Sequence, residues 1–202
     1  MLTNHYWYIP EALTPQQCDE IQHAVANVEE VEGFHFGHEA GHRKSQISWL
    51  YDEKINDRLG AWVRQANREA GWWYDLHKTE AIQYTKYRTG DQYDWHIDGN
   101  SDNHAARKLV SEVPAPIPLN VTPFPEFQGT VRKLSASVNL SHLGTYDGGQ
   151  LQIRCYDQLH VFNDSPRGSM VVFPSFMEHR VTPVLSGERH AAVIWYNGYP
   201  FR

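Results

Sequence analysis

The chain has 202 residues, long enough for one well-buried core and too short for two ordinary ones. Its 18 lysines and arginines against 24 acids leave a net charge of −6, a poor electrostatic match for nucleic acid or an anionic membrane. No apolar run approaches membrane-spanning length and no N-terminal apolar segment resembles a secretion signal, so a cytoplasmic protein is expected, with Cys18 and Cys155 as reduced packing residues. Residues 1–13 predict a short strand broken at Pro10. Thr14-Pro15-Gln16-Gln17 then starts a helix: Thr14 caps, Pro15 suits the first helical position and Gln17 completes a capping box. Cys18, Ile21, Val25 and Val28 form its apolar stripe, a packing face.

Residues 33–42 contain three glycines and three histidines, His35, His38 and His42. On a helix these histidines would line one face and could hold a metal, but the glycines favour a loop, placed at the mouth of a pocket. Arg43 to Tyr51 predicts a strand. A second helix follows from about Asp52, with Ile55, Leu59, Trp62, Val63, Ala66 and Ala70 on one face and Gly71 as its stop. Trp72-Trp73-Tyr74 opens the β-rich part and reads as core.

Tyr93-Asp94-Trp95-His96-Ile97-Asp98 is apolar and aromatic enough to be a strand. Residues i and i+2 of a strand share a side, so His96 and Asp98 project together. An imidazole and a carboxylate are two of the three ligands of a 2-His-1-carboxylate triad, which suits non-haem Fe(II) because it leaves positions open. A third ligand has to come from far along the chain, and His179 in Phe173–Val181 is the natural candidate. Ten residues later Arg189 enters an apolar strand, where a guanidinium needs an anion such as a carboxylate held by two parallel hydrogen bonds.

Residues 99–131 are the least regular stretch, with five of the eleven prolines between Pro114 and Pro125, so neither helix nor central strand fits. Directly after Asp98, such a loop reads as a substrate-facing lid. Lys133 to Ser141 alternates as a half-buried antiparallel strand, its polar row (Ser135, Ser137, Asn139, Ser141) facing solvent or a pocket. Asp147-Gly148-Gly149 and Pro166-Arg167-Gly168 are turns. On the last strand Arg189, Ala191, Val193 and Trp195 share a side, an apolar wall with one cation at its foot.

Several stretches appear in family order from about residue 80: Gln83-Tyr84-Thr85-Lys86-Tyr87 before Gly90, the His96-x-Asp98 strand, Leu134–Ser137, Asp147–Leu151, and Phe173-Pro174-Ser175 through His179 to Arg189. Together they resemble Fe(II)/2-oxoglutarate-dependent dioxygenases of the prolyl 4-hydroxylase superfamily, close to PKHD-type hydroxylases. The resemblance implies a double-stranded β-helix (a cupin-like jelly roll) with flanking helices, one domain over 1–202 with helical support and strands in 1–78 and the jelly-roll core in 79–202. It implies Fe(II) on His96, Asp98 and His179, with 2-oxoglutarate and O2 as co-substrates and ascorbate as a supporting reductant. The distal carboxylate of 2-oxoglutarate would pair with Arg189. Tyr87 would be either a co-substrate hydrogen-bond donor or a packed strand tyrosine, and Asn139 and Trp195 would line the co-substrate pocket. The implied reaction is hydroxylation of a substrate C–H, first of a peptidyl proline. A small-molecule hydroxylase and a non-catalytic cupin-like binding protein are the rival readings.

Overall fold

The computed structural model describes residue 2 and residues 4–33, 41–99, 106–113 and 121–200. The first half contains β1 (Trp7–Ile9), α1 (Pro15–Val25), β2 (Val31–Glu32), β3 (Arg43–Lys44), β4 (Gln46–Leu50), α2 (Glu53–Glu69), β5 (Lys78–Thr79), β6 (Ile82–Arg88) and β7 (Gln92–His96). The second half contains β8 (Lys108–Leu109), β9 (Val121–Thr122), β10 (Val131–Asn139), β11 (Tyr146–Gly148) and β12 (Leu151–Cys155). It closes with β13 (Gln158–Phe162), β14 (Met170–Pro174), β15 (Glu178–Val181) and β16 (Val184–Gly198).

Both helices begin as their sequences dictate. Thr14 accepts from the Gln17 amide while the Gln17 side chain reaches back to the Thr14 amide, and Asp52 caps α2 through Ile55 N–H. α1 ends at Val25, so Val28 belongs to the following turn. Gly71 ends the α2 region at φ +74°, a conformation a residue with a Cβ resists.

The larger sheet runs β1-β14-β10-β16-β6-β4-β2, with β5 and β11 also paired to β16. The smaller runs β13-β12-β15-β7-β3. One face of the larger sheet, carrying Leu134, Ala136 and Val138 of β10 and Ala192, Ile194 and Tyr196 of β16, packs on Cys18 and Ile21 of α1 and Leu59 and Val63 of α2. The alternate residues of β10 and β16 face the smaller sheet. Two antiparallel sheets closed face to face make the double-stranded β-helix expected from the sequence. Cys18 and Cys155 are free and buried, and no helix among the described residues is long and apolar enough to cross a membrane.

Four local expectations are corrected. The stretch 43–51 is two strands in different sheets: Arg43 pairs with Tyr93 of the smaller sheet and Ile47 with Thr85 of the larger, the chain switching sheets at Ser45. Trp73 is 71% exposed at φ +55° and is not core, whereas Trp72 is buried. The polar row of β10 is not a solvated face, because Ser135 and Asn139 are buried between the sheets. The described parts of 99–131 have local structure: β8 and β9 pair in parallel, and short 3-10 turns cover Val110–Glu112 and Pro125–Phe127. The remaining expectations for that loop, like those for His35 and His38, lie outside the described residues.

Candidate active site

His96 ends β7 and His179 lies on β15, and the two are direct cross-strand partners with ring centroids 4.1 Å apart. Antiparallel partners share a face, so the pairing alone brings the imidazoles together. Asp98 lies two residues beyond the end of β7, not within the strand as expected. Its backbone N–H and that of Gly99 both donate to Ser175 O, at 3.0 and 2.9 Å. A Cβ on Gly99 would lie 2.9 Å from Arg132 O, so only glycine fits this crossing.

Asp98 Oδ1 is 3.9 Å from His96 Nε2 and Oδ2 is 3.3 Å from His179 Nε2. Each histidine directs Nδ1 at a backbone carbonyl, His96 to Asp94 O at 2.7 Å and His179 to Met177 O at 2.9 Å. A carbonyl only accepts, so Nδ1 carries the proton and the Nε2 lone pair faces Asp98. Burial pushes the Asp98 carboxyl up, but when the imidazoles are protonated His179 and His96, with Arg132, outweigh it and hold the group well below the usual carboxylate range; neutral imidazoles leave that task to a bound cation. Three lone-pair donors thus converge within 4.8 Å of one another with their tautomers fixed from behind. That donor set fits a divalent transition metal, and two imidazoles with one carboxylate fit non-haem Fe(II).

Across the barrel, on β16, Arg189 is only 5% exposed. Its Cα partner is Tyr87 of β6, and the guanidinium lies over the Tyr87 ring at 5.6 Å. No carboxylate pairs with Arg189 among the described residues. It lines a cavity with Ser137, Asn139, Tyr146, Ser165 and Ser169. Burial raises the Tyr87 hydroxyl, which is therefore a neutral donor. Asn139 lines the same cavity, but its amide donates to Ser141 O and Ser165 O, holding the turn before β14. Trp195 shares the Arg189 face of β16, is buried, and leaves its indole N–H without a partner.

A profile of the 2OG-Fe(II) oxygenase superfamily matches residues 82–197. The chain belongs to this superfamily. The chain is 35% identical over 114 residues to a PKHD-type hydroxylase of Shewanella oneidensis, a match covering 55% of this chain and 40% of that protein. A PKHD-type hydroxylase of a Synechococcus strain is 27% identical over 124 residues, covering 61% and 45%. The chain thus spans about two fifths of the length of the curated relatives it matches. Among solved structures, a Pseudomonas putida prolyl-4-hydroxylase has TM-score 0.67 at 20% identity, covering 97% of this chain and 94% of its own. A Trichoplax adhaerens prolyl hydroxylase in complex with a hypoxia inducible factor peptide fragment has TM-score 0.66 at 19% identity, covering 96% and 84%. At such identities these structures show a shared fold.

The structure also brings to the site residues that sequence reasoning missed. Tyr93 stacks on His96, centroids 3.5 Å apart and planes 13° apart. A bulge in β7 sets Tyr93 opposite Val181 and His96 opposite His179, turning both inward. Glu80 is held by two Arg132 donors at 2.8 and 2.6 Å, by Arg107 at 2.7 Å and by Asn197 at 2.9 Å. Arg132 also lies 3.9 Å over the Trp195 ring and reaches Asp98 O at 3.5 Å. The only signal in the sequence was a charged residue on either side of an apolar strand.

Proposed function

We propose that this chain is an Fe(II)- and 2-oxoglutarate-dependent dioxygenase that hydroxylates a C–H bond of a proline-containing peptide. The observation that carries the reading is the buried Arg189 guanidinium, without an anion among the described residues, on the larger sheet, while His96 and His179 come from strands of the smaller one. Burying such a charge is costly unless a ligand supplies its partner. A dicarboxylate spanning the gap meets both needs, one end on Arg189 and the other at the metal.

His96, Asp98 and His179 would hold Fe(II), which supplies the O2 chemistry: oxidative decarboxylation of 2-oxoglutarate to succinate and CO2, with one oxygen atom entering the substrate C–H. The chain's part is geometric. Arg189 grips the distal carboxylate with a two-pronged donor and Tyr87 stands beside it as a neutral phenol. Carbonyls of Asp94 and Met177 hold the imidazole tautomers, which leaves both Nε2 lone pairs available to a metal ion. Trp195 lies against Trp49 at 6.1 Å and carries the Arg132 guanidinium 3.9 Å over its ring, flat surfaces of the kind that suit a proline ring. The peptide reading draws support from prolyl hydroxylases of the same fold, one of them solved with a peptide.

The test is stepwise. Metal-loaded protein given 2-oxoglutarate and O2 should release succinate, and a panel of proline-containing peptides should yield products heavier by one oxygen atom. Absence of succinate under every condition refutes the oxygenase reading, and succinate with oxidation of small molecules alone refutes the peptide.

A further inference from the structure

One charged side chain at the mouth is left out of the reading above. Arg43 pairs in β3 with Tyr93 and lays its guanidinium 4.4 Å from the Tyr93 ring centroid. Tyr93 in turn stacks on His96, so this cation stands one aromatic layer out from a metal ligand. Its pose is built. Nε donates to Ser45 Oγ at 3.0 Å and Nη2 to Gln83 Oε1 at 2.7 Å. A Cβ at Gly33 would fall 2.5 Å from Ser45 Oγ and 2.7 Å from Arg43 Nε, so the glycine leaves the space in which they lie.

Both partners are neutral. A guanidinium has five N–H donors, and two are used, which leaves three without a partner among the described residues. No carboxylate pairs with Arg43 among them either, in a chain whose net charge is −6. The carboxylates on the adjoining strand are otherwise engaged: Asp91 with Lys44, Asp94 with the Trp95 amide, and Asp98 with His96 and His179. The mouth therefore keeps one oriented, half-buried, unneutralised cation whose free donors match a carboxylate.

We infer that Arg43 is a specificity-determining residue that takes a carboxylate of the substrate close to the oxidised C–H. The inference rests on the oxygenase reading and deepens it: the substrate is acidic. The carboxylate is either a Glu or Asp side chain next to the reacting residue or the free C-terminal carboxylate of a short substrate.

Binding to the full chain loaded with Mn(II) and a 2-oxoglutarate analogue that cannot be decarboxylated tests this without turnover. The probes are N-acetyl-Glu-Pro-amide and N-acetyl-Pro-Glu-amide, each against its Gln counterpart, and N-acetylproline against N-acetylprolinamide. At least one acidic probe should bind about tenfold or more tighter than its neutral twin, since one charge-assisted pair is worth that much. The preference should fall to about one in Arg43→Gln and survive in part in Arg43→Lys. Which pair shows it identifies the carboxylate, and either supports the inference. Equal affinities in the native protein, no measurable binding of any acidic probe at millimolar concentration, or a preference that persists in Arg43→Gln overturns it. Succinate release by the same preparation is read separately, so protein that turns over 2-oxoglutarate but ignores probe charge sinks this inference alone.

Discussion

Replacing Glu80 with glutamine should expose how much of the fold's acid sensitivity resides in one carboxylate at the mouth. Glu80 joins β5 to β6 and receives four hydrogen bonds, three of them from guanidinium groups on Arg107 and Arg132. Burial pushes its carboxyl up, but the Arg132 and Arg107 charges and the Asn197 amide prevail and bring it from 4.5 down to about 2. A folded pKa below the unfolded one means stability present above the unfolded value and lost as pH falls through the folded value. The drop of roughly 2.5 units corresponds to about 3 kcal/mol, present at neutral pH and lost between about pH 5 and pH 2. In a chain of this size that is a shift of about 6–12 °C in melting temperature. Glu80→Gln keeps the shape and the contact to Asn197 but leaves two guanidinium groups without their anion. The variant should be destabilised by about 3–5 kcal/mol at pH 7, and the gap should narrow as pH falls toward 3. Denaturant unfolding of both proteins at steps from pH 7 to pH 3 measures this. Curves that stay parallel over the whole range would refute the reasoning, because the carboxylate would then have the same pKa folded and unfolded.

Two further outcomes follow from the site. Arg189→Ala should raise the 2-oxoglutarate requirement by a factor of about 30 to several thousand, corresponding to about 2–5 kcal/mol for one partner of a buried pair. Arg189→Lys should lose less, and an unchanged requirement in the alanine variant would remove the anchor from Arg189; co-substrate titration of succinate release decides. Asp98→Ala and His179→Ala should each abolish turnover and lower the iron retained after gel filtration, while His35→Ala should retain a full complement. Equal iron loss in the His35 variant would move the metal site.

The sequence made the cluster of His96, Asp98 and His179 legible from short-range spacing. His96 and Asp98 are two residues apart and meet even though the strand stops at His96, and the third donor needed only a histidine on a later strand. Arg189 was legible as a charge where an apolar strand should have none. Period-two alternation tells which residues share a face, but not which sheet the strand joins, so the division of 43–51 at Ser45 was invisible. Nor does alternation reveal a bulge, and the bulge is what turns Tyr93 onto His96. The network of Glu80, Arg107, Arg132 and Asn197 joins positions up to 117 residues apart, and no local pattern encodes such a meeting.

The way β7 and β15 meet also sets what kinds of genetic change this protein can absorb. His179 faces His96 in one register of a strand only four residues long. Deleting a single residue there would turn Glu178 or Arg180 inward in its place, since a slip by one moves every side chain to the opposite face. A point substitution nearby leaves the register intact. The two strands can therefore change by substitution but not by length.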